Sequence, residues 1–201
     1  MCGITNKSYI TFSGDGYAIT FTGRYTNVKF ENVIFELTTS NYGIKFDETS
    51  NYMPYNCGFY NCKFFDGIIA VNVTRIGYLY FISTHFYINN QFSDQERLLI
   101  GTSTAGQTPC EYVYINDCHF EGKSIGAGSA VKITTGNVIY IQNSDLCNWY
   151  NAPAICCDLV ARLTHLNIYE TSICRCMGDI CLKNNGYELS DVHVNNIYDV
   201  V

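Results

Sequence analysis

The side chains best suited to chemistry are His85, Asp117, His119, Glu121 and Asp145, all in the middle of the chain. Two carboxylates roughly 5–10 Å apart can hydrolyse a glycosidic bond, one serving as acid and the other as base or nucleophile. Asp117 and Asp145 are the candidate pair, and Glu121, four residues on from Asp117, is a further acid. A histidine beside an acidic sugar can instead take a proton in a β-elimination, because its ordinary pKa lies near neutrality. His85 and His119 suit that role, Lys63 falls in the same column, and Arg97 is a candidate to neutralise a uronate.

Cysteine chemistry is the other option, since the chain has 11 cysteines. Cys174, Cys176 and Cys181 lie close together with His165 nearby, but the two-residue gap of a zinc knuckle is missing. No metal or other cofactor is therefore expected. An odd cysteine count in 201 residues does not suit a secreted disulfide scaffold. Most of these cysteines read as reduced, small, buried apolar residues of a chain made in a reducing cytosol.

A repeat must position these groups. Val28–Asn32, Cys57–Asn61, Leu79–Ser83, Val113–Asp117, Ile139–Asn143, Leu166–Glu170 and Val192–Asn196 share one frame: apolar, any, apolar, any, turn residue. Three residues past the turn another apolar residue follows: Phe35, Phe64, Phe86, Phe120, Leu146 and Ile173, with Asp199 in the last place. The turn column falls at 32, 61, 83, 117, 143, 170 and 196, a mean spacing of about 27. A second strand recurs between these segments, as in Ala18–Phe21, Gly43–Phe46, Ala70–Val73, Leu98–Ile100, Ala130–Ile133, Ala154–Cys157 and Asp179–Leu182. Each unit alternates with period two and cannot bury its apolar face alone, so it must stack on its own copies.

Composition agrees. There are 33 Ile and Val against 18 Leu and Ala, with 17 Tyr and 12 Phe, a balance that favours pleated sheet over a helical bundle. A net charge of −6 without a basic run argues against a nucleic-acid partner. No apolar window is long enough for a transmembrane helix, so membrane insertion is not expected. Asn and Asp in the turn column tolerate a left-handed backbone, and their side chains can bond one another from coil to coil. Ser83 and Glu170 depart from that pattern and mark their coils as less regular.

The leucine-rich repeat has a similar period, but its Asn falls at a different place in the frame, and ten leucines are too few. The frame instead resembles the right-handed parallel β-helix of the pectin-lyase-like superfamily, over essentially residues 4–200. That resemblance implies an all-β, right-handed, single-stranded solenoid of about seven coils of about 27 residues. It would form one domain over 1–201, with an irregular insertion at 89–110 whose loops could wall a cleft. The absence of an amphipathic cap at either end is read as the mark of a longer protein or of capping partners.

Alternation sends Tyr80, Tyr114 and Tyr140 outward on consecutive coils, with Tyr60 beside them. Three roles are open to this face: a sugar-binding groove, a ladder that stiffens the sheet, or the buried face of a homotrimer. The superfamily hosts lyases, hydrolases and non-enzymes, so fold alone does not choose. The resemblance to phage tailspikes and receptor-binding proteins implies a homotrimer on a virion tail that engages cell-surface polysaccharide, with depolymerisation as a further activity. The alternatives are a secreted polysaccharide lyase and a non-catalytic adhesin.

Overall fold

A computed structural model describes residues 8–22, 27–38, 42–47, 55–89, 96–101, 110–123 and 128–200. These residues are all β and turn, and the strands pair in parallel as a β-solenoid of about six turns of about 26 residues. Among the described residues no helix is long and apolar enough to cross a membrane.

Three strand ladders run along the rod. The first holds the repeat segments themselves, from Val28–Glu31 through Asn56–Tyr60, Tyr78–Ile82, Tyr112–Asn116 and Gly136–Gln142. The long strands Leu163–Cys174 and Leu189–Val200 complete it, and they run on past the turn into the second ladder. That second ladder comprises Ser8–Phe12, Val33–Leu37, Lys63–Phe65, His85–Tyr87, His119–Glu121 and Asp145–Cys147. The third is a separate sheet of seven strands, from Tyr17–Thr22 to Gly178–Lys183.

The left-handed corner between the first two ladders is the most regular feature. Asn32, Asn61, Ser83, Asp117, Asn143, Glu170 and Asn196 all have φ between 46° and 58°. Ser83 and Glu170 therefore share the corner φ of their asparagine counterparts, so the expected irregularity does not appear in the corner residue itself. Stacking fixes the corner because each coil hydrogen-bonds to its neighbours on both sides, which outweighs the intrinsic cost of about 1–2 kcal/mol for an L-residue there. The Asn61 side-chain amide donates to Asn32 Oδ1 at 2.6 Å, as amide stacking predicts, whereas that of Asn143 donates to Asn116 Oδ1 at 2.9 Å, and the Ser83 hydroxyl donates to the Asp117 carboxylate. Glu170 makes the corner without an amide, so Glu170→Asn should raise stability by about 0.5–1 kcal/mol. Urea titration checks this; an unchanged midpoint would mean that the backbone strain is already relieved.

The interior consists of aligned apolar columns. Phe35, Phe64, Phe86 and Phe120 stack face to face with centroids 4.5, 5.1 and 4.5 Å apart. Phe30, Phe59 and Phe81 form a second stack at 5.1 and 5.0 Å. These are the inward positions of the frame, and parallel register puts identical side chains directly above one another.

Most of the described cysteines are free thiols, as expected. Cys57, Cys62, Cys110, Cys118 and Cys157 are buried thiols, and burial pushes Cys57, Cys110, Cys118 and Cys157 up to about 12. They are packing residues without reactivity at neutral pH. Cys147 and Cys174 are the described exception and form a disulfide across neighbouring coils, with Cα atoms 4.7 Å apart. Both point outward from adjacent strands in register, so no core volume is lost to the bond.

Much of the irregular stretch 89–110, including Asp94, lies outside the described residues, as do Met1–Lys7. Within it, the strand Leu98–Ile100 keeps register between Val71–Val73 and Val131–Ile133.

Candidate functional site

Two outward surfaces flank the left-handed corner. On the first ladder, register aligns Tyr80, Tyr114 and Tyr140 in one column. Their rings meet edge to face, with centroids 6.4 and 6.2 Å apart. Two residues upstream, Tyr78 and Tyr112 form a parallel column, and Tyr112 sits among four tyrosines: Tyr78, Tyr80, Tyr114 and Tyr140. Sequence reasoning passed over Tyr78 and Tyr112, although the same period-two alternation marks them as outward. Burial by the neighbouring rings raises the phenol pKa values of Tyr80 and Tyr112, and the adjacent phenols add to the effect. These phenols therefore stay protonated and remain hydrogen-bond donors throughout the neutral range.

Tyr60 adjoins the end of this cluster, within electrostatic reach of Tyr80. It folds over Gly58, the position that continues the Tyr80 column, and a Cβ there would meet the Tyr60 ring at 2.4 Å. The ammonium of Lys29 caps the ring at 4.9 Å. Between the tyrosines and the corner, Gln142 donates to both the Tyr114 hydroxyl and the Asn116 side chain. A polar groove of about 530 Å³ opens farther along, lined by Gln142, Asn143, Tyr169, Glu170, Asn195 and Asn196. One continuous face therefore offers aromatic rings followed by amides.

Across the corner, register brings Lys63, His85, His119, Asp145 and Ser172 into the single column that the frame predicts. The two imidazoles lie 5.9 Å apart. The Tyr87 hydroxyl lies 2.8 Å from His85 Nδ1, and Lys63 approaches the Tyr87 ring at 5.9 Å. Tyr87, two residues along the strand from His85, was also missed by sequence reasoning. His119 stands between two carboxylates, with Nε2 3.2 Å from Glu121 and Nδ1 3.9 Å from Asp145. Glu121 also accepts a hydrogen bond from Asn148. A shallow cleft of about 370 Å³ opens here, lined by His85, Tyr87, Asp117, His119, Asn143 and Asp145.

The candidate acids differ in how far they are committed elsewhere. Asp117 is the corner residue of its coil and accepts a 2.6 Å bond from Ser83. Glu121 is half-buried and engaged by His119 and Asn148, while Asp145, like Asp117, is exposed.

Arg97 corrects the sequence reading. Its side chain is completely buried rather than facing a cleft. The guanidinium donates to the backbone carbonyls of Asp66, Gly67 and Ile68, so it holds a turn together and cannot meet a uronate on the surface.

Two members of the Cys–His group around His165 are engaged elsewhere. Cys174 is bonded to Cys147, and His165 Nδ1 pairs with Asp191 at 3.0 Å. Among the described residues no group of three or more His, Cys, Asp or Glu side chains is arranged to hold a metal ion. No family model, curated protein or solved structure matches this chain.

Proposed function

We propose that this solenoid binds a cell-surface polysaccharide along its outward face, as a rod of the phage tailspike or receptor-binding type. The observation that carries the reading is the five-tyrosine cluster of Tyr78, Tyr80, Tyr112, Tyr114 and Tyr140, continuous with the amides of Asn116, Gln142 and Asn143. Aromatic rings pack against the apolar faces of sugars, while amides and phenols match their hydroxyls. Coils stacked about 4.8 Å apart repeat this pairing along the rod, which suits a repeating polymer better than a single small ligand.

The test is direct binding of bacterial surface polysaccharides by calorimetry or a glycan array. Tyr114→Ala and Tyr140→Ala should each weaken binding about tenfold, equivalent to about 1.4 kcal/mol, with circular dichroism unchanged. If no glycan binds and Tyr80→Ser, Tyr114→Ser and Tyr140→Ser instead break up the oligomer, the face belongs to subunit packing. A solution mass near three times 22.7 kDa is expected for the homotrimer that accompanies the tailspike reading.

Cleavage of the bound chain is a second reading, favoured by His119 lying between Glu121 and Asp145 at the open cleft. Hydrolysis would run through Asp117 and Asp145, so Asp145→Asn would stop it. β-Elimination would run through His119 or His85 and give ultraviolet-absorbing unsaturated ends. Cleavage that survives Asp117→Asn, Asp145→Asn, His119→Gln and His85→Gln would exclude both routes.

A further inference from the structure

Cys156 and Cys181 occupy partner positions on Pro153–Asp158 and Gly178–Lys183, adjacent strands of the third ladder. Alternation turns both outward, since Ile155 and Cys157 on either side of Cys156 are buried. Cys147 and Cys174, partners in the second ladder on the same two neighbouring coils, already form a disulfide across 4.7 Å between Cα atoms. Parallel partners stand about 4.8 Å apart in general, inside the 4.4–6.8 Å range that a disulfide accepts.

We infer that Cys156 and Cys181 are a second redox site, which closes to a disulfide and clamps these two coils on another face. Three observations support the pairing. Both thiols are partly exposed, whereas Cys57, Cys62, Cys110, Cys118 and Cys157 are buried. Cys176, the nearest competitor in sequence, is turned towards the backbone carbonyls of Leu146 and Cys174. Cys156 also lies within electrostatic reach of Cys181; burial, Cys181 and Asp158 raise its thiol pKa and the ammonium groups of Lys132 and Lys183 offset only part of this, so the exchange runs faster as pH rises.

The oxidant is a small disulfide such as oxidised glutathione. One cysteine thiolate attacks its S–S bond and forms a mixed disulfide, releasing one glutathione thiolate. The second cysteine loses its proton and attacks the protein-bound sulfur, releasing the other glutathione. Two protein thiols are thus oxidised while one glutathione disulfide is reduced to two thiols.

The full chain, incubated with oxidised glutathione under native conditions, is quenched with N-ethylmaleimide and digested without reduction. Mass spectrometry with fragmentation, which separates Cys181 from Cys176, should find Cys156 linked to Cys181 and two hydrogens lost. In Cys181→Ser this link should vanish, Cys147–Cys174 should persist, and Cys156 should carry the label or one glutathione. Recovery of Cys156 and Cys181 from oxidised wild-type protein as separately alkylated residues overturns the inference. A link from Cys156 to any other cysteine overturns it as well.

Discussion

Arg97→Met is expected to lower the unfolding free energy by about 3–5 kcal/mol, among the largest losses for any single side chain here. The guanidinium is wholly buried, and its Nη1 and Nη2 donate to three consecutive carbonyls, those of Asp66 and Gly67 at 2.5 Å and of Ile68 at 2.8 Å. Asp66 and Gly67 both have positive φ, so this turn directs its carbonyls towards the guanidinium, the Gly67 bond being buried and the other two half-buried. Burial pushes the guanidinium down to about 10, with Asp66 and Glu96 acting in the opposite direction, so it remains a cation at neutral pH.

Methionine fills a similar length but supplies no donor, so three carbonyls would lose their partner, that of Gly67 in a buried position. Arg97→Lys should recover only part of the loss, because one ammonium cannot span the fork that the planar guanidinium spans. Urea unfolding at fixed redox state measures both variants. A loss below about 1 kcal/mol for Arg97→Met would mean that water replaces the side chain and that the turn is not dry.

The second large effect is expected at Phe86. Its ring is stacked between Phe64 at 5.1 Å and Phe120 at 4.5 Å, and it meets the edge of Phe81 at 5.8 Å. Phe86→Ala should cost about 3–5 kcal/mol, through lost transfer energy and a cavity that stacked neighbours cannot collapse into. Phe86→Leu should restore most of it. A solenoid is held by nearest-neighbour interfaces, so this defect weakens two at once and should broaden the unfolding transition. Phe30→Ala makes the comparison: Phe30 is only partly buried, and its loss should be smaller. Equal losses at the two sites would mean that stacking between coils adds little beyond local burial.

The repeat frame was legible to a depth unusual for a single sequence. Inward Phe35, Phe64, Phe86 and Phe120, outward Tyr80, Tyr114 and Tyr140, and the His85–His119–Asp145 column all follow from counting residues from the turn. The Cys147–Cys174 bond was within the same reach, since both residues lie four positions past their turn residue, at Asn143 and Glu170. Tyr112 and Tyr87 needed only the alternation carried two residues further. Asp117 shows the limit of the method: the same count that puts it beside the cleft also makes it the corner of its coil, already bonded to Ser83.

Period and alternation in the sequence determined the parallel coil, the left-handed corner and the side of the sheet on which each strand residue falls. They suffice because a strand has only two faces and stacked coils repeat the same choice. Only the tertiary structure decided that Arg97 turns inward. It lies just before the strand Leu98–Ile100, where alternation no longer applies, and its direction is set by carbonyls about 30 residues earlier on the neighbouring coil. The same holds for His119 between Glu121 and Asp145, and for Gly58 making room for Tyr60. Those contacts depend on distances between coils and on side-chain directions, neither of which spacing along the chain encodes.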